Sequence, residues 1–228
     1  MSIFSHASLR DARFLQALVL AITLVVLRPE PVHAEWDEGF RLSVHAGFTS
    51  NSSTNLRSDG NSNVLKSSDE ASPAFGVSFL YGLERFDIGL FIDHFGSGSF
   101  QGFNAKRPLG GKARVATAFN WHYVKAAWGS MYVGVNPGVV FIQHTDHLRS
   151  QIAAILGRQP TQIEGIDKHN VGFAFGTSFG ILFELGDTLA MVLEAQLVVS
   201  DATMQDDSDQ LEYLSTQPII RMGLTAHL

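Results

Sequence analysis

The stretch VGFAFGTSFGILF, residues 171–183, decides the fold. Its odd positions are Val171, Phe173, Phe175, Thr177, Phe179, Ile181 and Phe183; its even ones are Gly172, Ala174, Gly176, Ser178, Gly180 and Leu182. Large residues at every second position give a period of two, which belongs to a strand and not to a helix. A half-solvated strand would carry Lys, Glu and Thr opposite its apolar face. Here the second face is mostly Gly, Ala and Ser, which suits the inside of a narrow barrel and leaves the large side chains for lipid.

The same alternation recurs on both sides of this stretch. Phe40 to Phe48, Phe75 to Tyr81, Phe86 to Ile92, Val115 to Tyr123 and Val133 to Phe141 precede it, and Met191 to Val199 and Ile220 to Leu228 follow. Short turns lie around Leu83-Glu84-Arg85, between Lys125 and Met131, and at Gly186-Asp187. Long polar loops fall near 51–72, 95–112, 143–169 and 200–213. An even number of strands with turns at one end and loops at the other predicts an all-β, eight-stranded, antiparallel up-and-down transmembrane barrel, with short periplasmic turns and long extracellular loops. Pro137 cannot donate to a ladder, so a bulge is expected there. Trp121, Tyr123, Trp128, Tyr81, Phe86, Tyr132 and Phe183 cluster near the turns as an expected interfacial girdle.

The first residues read as an address. Arg10 and Arg13 precede an uncharged stretch from Phe14 to Leu27, and Val32-His33-Ala34 offers small residues at a cleavage site. Residues 1–34 are therefore expected to be a cleaved secretory signal peptide and 35–228 the barrel domain. The stretch is shorter than the roughly 20 apolar residues a spanning helix needs. The chain has no Cys and a net charge of -6, with Lys and Arg scattered singly. No stripe for a phosphate backbone exists, which argues against nucleic acid as a partner. Without disulfides, an exported fold can be held by a closed hydrogen-bonded barrel. The competing arrangement, a soluble periplasmic ligand-binding barrel, would turn the apolar face inward.

Over residues 35–228 the chain resembles small outer-membrane barrels of the OmpW, OmpX and OmpA-barrel type. The resemblance implies a C-terminal strand read by the barrel-assembly machinery, with Arg221, Gly223, Ala226 and Leu228 in the signal positions; Leu228 stands where the family usually has Phe, and Ala226 where it has an aromatic. It also implies outer-membrane lipid and lipopolysaccharide as surroundings. An OmpW-type likeness implies a narrow channel for small or hydrophobic molecules.

Alternation puts Arg41, His45, Asp87, Asp93, Arg114, His122, Glu184, Glu194 and Arg221 inside. Charges confined in a narrow lumen must pair, because an isolated one is very costly. They form either a salt-bridged plug or a gate on an ion path; a plug fits the small interior of eight strands. His144, Asp146 and His147 form a short cluster of zinc or copper ligand types, though so short a cluster reads more simply as solvated loop, and no metal or other cofactor is expected. The acidic run Asp206-Asp207-Ser208-Asp209 reads as a solvated tip. Ser150 can cap a short helix over Gln151 to Leu156, ended by Gly157, placed either to fold over the mouth as a lid or to touch a partner. No His-x-Ser pair of the lipid A deacylase kind occurs, and nothing proposes a nucleophile with its base. The sequence thus points to a non-enzymatic, monomeric outer-membrane barrel with a role in envelope integrity or surface interaction. The narrow channel and the soluble binding barrel are the alternatives.

Overall fold

The computed structural model describes residues 38–49, 53–58, 61–68, 71–96, 99–101, 106–108, 110–155, 169–206 and 209–228. The expected signal peptide and its cut after Ala34 lie outside the described residues, as do Asp207, Ser208 and the expected helix end at Leu156-Gly157. In chain order the elements are β1 (Gly39–Thr49), β2 (Ser53–Ser58), β3 (Asn61–Ser68), β4 (Ser72–Leu83), β5 (Phe86–Gly96), β6 (Ser99–Gln101), β7 (Lys106–Pro108), β8 (Gly110–Ala126), β9 (Gly129–His144), helix α1 (Asp146–Ile155), β10 (His169–Glu184), β11 (Leu189–Asp206) and β12 (Asp209–His227).

The long strands β1, β4, β5, β8, β9, β10, β11 and β12 are neighbours in that order, and β1 also pairs with β12. Nine antiparallel pairs, from Arg41↔His227 to Thr49↔Ile219, close the sheet on itself. The fold is the expected eight-stranded closed barrel, and closure leaves no open edge in the wall at that seam.

The outward face is the apolar one. On β5, Ile88, Leu90 and Ile92 are exposed, and so are Phe75, Val77 and Phe79 on β4 and Phe40, Leu42 and Val44 on β1. A continuous apolar belt of this kind is unsuited to water and suited to the hydrocarbon of a bilayer, in which a closed barrel satisfies every backbone group. A soluble binding barrel would hide this face. Near the short turns, the Phe40 ring lies 5.2 Å from Phe79 and 5.0 Å from Tyr81, and Trp121 lies 6.3 Å from Tyr123. Tyr132 does not join this girdle: it is buried inside the barrel. Its strand parity decides its direction, and nearness to a turn does not override it.

Three expectations need correction. The long loops are not simply loops. β11 and β12, of 18 and 19 residues, stay paired to Asp206↔Asp209, so the supposed loop at 200–213 is a continuous hairpin. A membrane strand needs about 9–11 residues, so both strands run well past the bilayer. In the first loop, β2 takes over from β1 along the edge of β12 and passes pairing on to β3; β6 and β7 extend the second hairpin. Outside lipid a strand needs no apolar face, so polar residues there gave no strand signal. Pro137 makes no bulge against β10 either: the register runs unbroken through Phe175↔Pro137. The Thr117 hydroxyl donates to the Pro137 carbonyl at 3.2 Å. Losing one donor costs less than a slipped register, which would turn the rest of β9 to the wrong face. The helix begins earlier than expected, as described below.

Gly129 shows why the turn before β9 takes a glycine. Its φ is +142°, and a Cβ there would collide with the Leu182 carbonyl oxygen.

Candidate functional site

The lumen carries three tiers of polar side chains, stacked from the short-turn end to the mouth. In the first, Arg41 on β1 holds Asp87 on β5 through Nη1 at 2.8 and 3.0 Å from the two carboxylate oxygens. His122 on β8 meets the same carboxylate through Nε2 at 2.8 Å, and its Nδ1 lies 2.8 Å from the Ser130 hydroxyl. Asp87 thus binds two strands besides its own.

The middle tier crosses the barrel. Asp93 on β5 accepts from Arg114 Nε at 2.9 Å and from Arg221 Nη1 at 2.8 Å, with a further short contact from Arg114 Nη2. Arg221 on β12 also pairs closely with Glu194 on β11, whose second oxygen accepts from the Tyr132 hydroxyl at 2.6 Å. Arg114 Nη2 reaches Gln196 Oε1 at 2.6 Å, and Gln196 reaches Asn136 at 3.3 Å. Both guanidinium groups flank the Phe91 ring, at 3.9 Å for Arg221 and 5.5 Å for Arg114. A charge taken out of water this way is tolerable because each carboxylate has several charge-assisted partners and the cations have a ring face as well.

The lumen glycines make room for these groups. A Cβ at Gly176 would sit 2.7 Å from Arg114 Nη1, one at Gly82 would sit 2.8 Å from Arg41 Nη2, and one at Gly180 would overlap the Tyr132 ring. Small and large residues therefore alternate across the lumen rather than leaving it open. Between the tiers remains a cavity of about 20 Å³ bordered by Arg41, His45, Asp87, Asn120, Asn136 and Glu194. That is room for one water.

The third tier lies at the mouth. Lys112 on β8, fully buried, donates to Ser215 Oγ at 2.7 Å and Gln217 Oε1 at 2.8 Å, and its ammonium lies 4.9 Å from the Tyr213 ring centre. Above it α1 turns Leu148, Ile152 and Ala153 into an apolar cluster with Phe95, Val140, Ile142, Val198 and Tyr213. The helix is capped by Thr145, whose hydroxyl accepts from the Leu148 amide at 3.3 Å. Ser150, the expected cap, lies within the helix, its hydroxyl donating to the Asp146 carbonyl at 2.9 Å. An acid in the first turn suits the helix dipole, which moves the start to Asp146.

The sequence reading placed Arg41, His45, Asp87, Asp93, Arg114, His122, Glu194 and Arg221 inside, and all are buried there. His45 bonds Ser78 at 3.1 Å and stacks 5.6 Å from Phe91. Glu184 stands apart from this network: it lies half-buried at the short-turn rim, 3.8 Å from His227. Lys112, Tyr132, Gln196 and Phe91 belong to the network and were not named for it. Extending the alternation of β8 two residues before Arg114 would have found Lys112. The candidate metal ligands separate: His144 points into the mouth, accepting from Asn170 at 3.1 Å, whereas Asp146 and His147 are exposed. Among the described residues no group of three ligand types stands together. At the seam, Gly223 faces His45, Ala226 faces Leu42, and the Leu228 amide donates to the Phe40 carbonyl at 2.9 Å.

No family model matches the chain, and no curated protein does. Solved structures similar to it include neisserial surface protein A, at 9% identity over 83% of this chain and 97% of that one, with a TM-score of 0.46. The outer membrane protein OprG from Pseudomonas aeruginosa shows 12% identity over 84% and 98%, with a TM-score of 0.46. The attachment invasion locus protein Ail of Yersinia pestis, solved with the heparin analogue sucrose octasulfate, shows 12% identity over 81% and 99%, with a TM-score of 0.34.

Proposed function

We propose that the chain is a non-enzymatic bacterial outer-membrane barrel whose lumen is shut, and which acts in envelope integrity or surface interaction through the hairpins beyond its mouth. One observation carries this reading: Asp93, Arg114, Arg221 and Glu194 join four strands across the lumen, beneath a mouth stoppered by α1. A conducting path needs a continuous wet route, and the cavity between the tiers holds about one water. With the interior occupied, the remaining surface for interaction is the projecting collar of β2, β3, β6, β7 and the β11–β12 tip. The expected setting is the outer membrane, with lipid against the belt and the barrel-assembly machinery acting on the closing strand.

Planar-bilayer recording tests the reading. The purified barrel is expected to give no steady unitary current. A steady current in the wild type that changes in Glu194→Ala or Arg221→Ala would replace the plug with a gate.

A further inference from the structure

The two lower tiers are balanced in charge, and the mouth tier is not. Below, the cations Arg41, Arg114 and Arg221 meet the carboxylates of Asp87, Asp93 and Glu194, so no carboxylate is left over. At the mouth, Lys112 is fully buried and donates to Ser215 Oγ and Gln217 Oε1, both neutral. Among the described residues no carboxylate meets its ammonium. A buried ammonium so placed either sheds its proton or takes up an anion.

The surroundings favour the charged form. Gln217 Nε2 donates to the Gly96 carbonyl at 2.9 Å, which fixes Oε1 as the amide atom turned to Lys112. Besides these acceptors the nitrogen has two rings near it, Tyr213 at 4.9 Å and Phe95 at 5.9 Å from their centres. A ring face attracts a cation and repels a lone pair. Two hydroxyls of the same tier, Tyr213 Oη and Ser200 Oγ, are buried without a hydrogen-bond partner among the described residues. Ser200 stands opposite Ser215 in the β11–β12 register, which brings it to the acceptor that Lys112 uses. The tier thus offers spare hydroxyl donors around one positive charge. Its other walls are apolar: Phe95, Val140, Ile142 and Val198, with α1 above. A surplus of one charge calls for a monoanion. In so dry a setting, a weakly hydrated single-atom ion suits a few hydroxyl donors better than a phosphate, whose many oxygens would stay unserved.

We propose that the mouth tier binds one halide-class anion, chloride being the common one, held by the Lys112 ammonium and the Tyr213 and Ser200 hydroxyls beneath α1. The anion completes the charge balance of the lumen, and α1 then covers a neutral pair instead of a bare charge. The proposal is independent of whether the collar binds a partner.

The test is urea unfolding of the full barrel in uncharged detergent, followed by tryptophan fluorescence, in sodium chloride and in sodium gluconate at equal ionic strength. An anion that binds only the folded form lowers the unfolded-to-folded ratio by one plus its concentration over its dissociation constant. Chloride at about ten times that constant is therefore expected to lower the ratio roughly tenfold relative to gluconate, an anion too large for the site. Lys112→Met, which keeps the stem without the charge, is expected to be indifferent to the exchange of salts, and Tyr213→Phe to respond less than the parent. A parent protein indifferent to chloride, or a Lys112→Met variant that responds as the parent does, would overturn the proposal. Should Lys112→Met fail to fold, crystals of the parent grown in sodium bromide decide the same point: an anomalous peak is expected against the Lys112 ammonium, and bromide bound only elsewhere sinks the assignment.

Discussion

At the scale of single residues, Asp93 is the pivot of the lumen, since it alone neutralises both Arg114 and Arg221 from β5. Asp93→Ala leaves two buried guanidinium groups short of a counter-charge and is expected to destabilise the barrel by about 3–5 kcal/mol. Urea titration of the unheated band against Asp93→Asn checks this, the amide being expected to lose less because it keeps an acceptor. Gly176→Val tests the space argument: its side chain would compete with Arg114 and is expected to cost about 1–3 kcal/mol by the same titration, as overpacking does. Period-two reading found the lumen charges because parity is a strict geometric rule. It missed Lys112 because the strand was begun at Arg114, where outward apolar residues begin. It put Tyr132 in the girdle because an aromatic near a turn fits one, and it overextended to Glu184, where the wall ends and solvent enters.

At the scale of elements, α1 is seated at the mouth by Leu148 and Ile152, both fully buried. Ile152→Asp places a charge in that apolar seat and is expected to unseat the helix, speeding tryptic cleavage after Arg149 several-fold while the barrel still shifts on heating. Because the two ion-paired tiers lie below, unseating the helix is expected to leave the bilayer silent; a steady current in Ile152→Asp would show that the helix, and not the network, closes the pore. The helix was legible from its capping chemistry, but Thr145 and Ser150 are both good caps, and the mouth cluster together with Asp146 in the first turn favours the earlier start. The collar strands were hidden for a different reason. Beyond the bilayer neither face of a strand is selected for lipid, so β2, β3, β6 and β7 carry no alternation to read.

At the scale of the whole molecule, the fold was legible because a bilayer imposes one rule on every strand that crosses it, and the rule repeats eight times. Full-length protein in detergent is expected to migrate faster unheated than boiled, the closed barrel being the compact form. A single band at both temperatures would argue against closure. What the lumen does was less legible, since paired and conducting arrangements use the same charged residues, and only their distances separate the two.

The seam has one more consequence, for the order of events. The upper half of β12 pairs with β2 and its lower half with β1, while its other edge holds β11 throughout. The first strand can therefore find its second neighbour only when the last has arrived. A chain stopped before Ile219 lacks every β1–β12 pair, so the lower part of the wall keeps two raw edges until the last strand is complete.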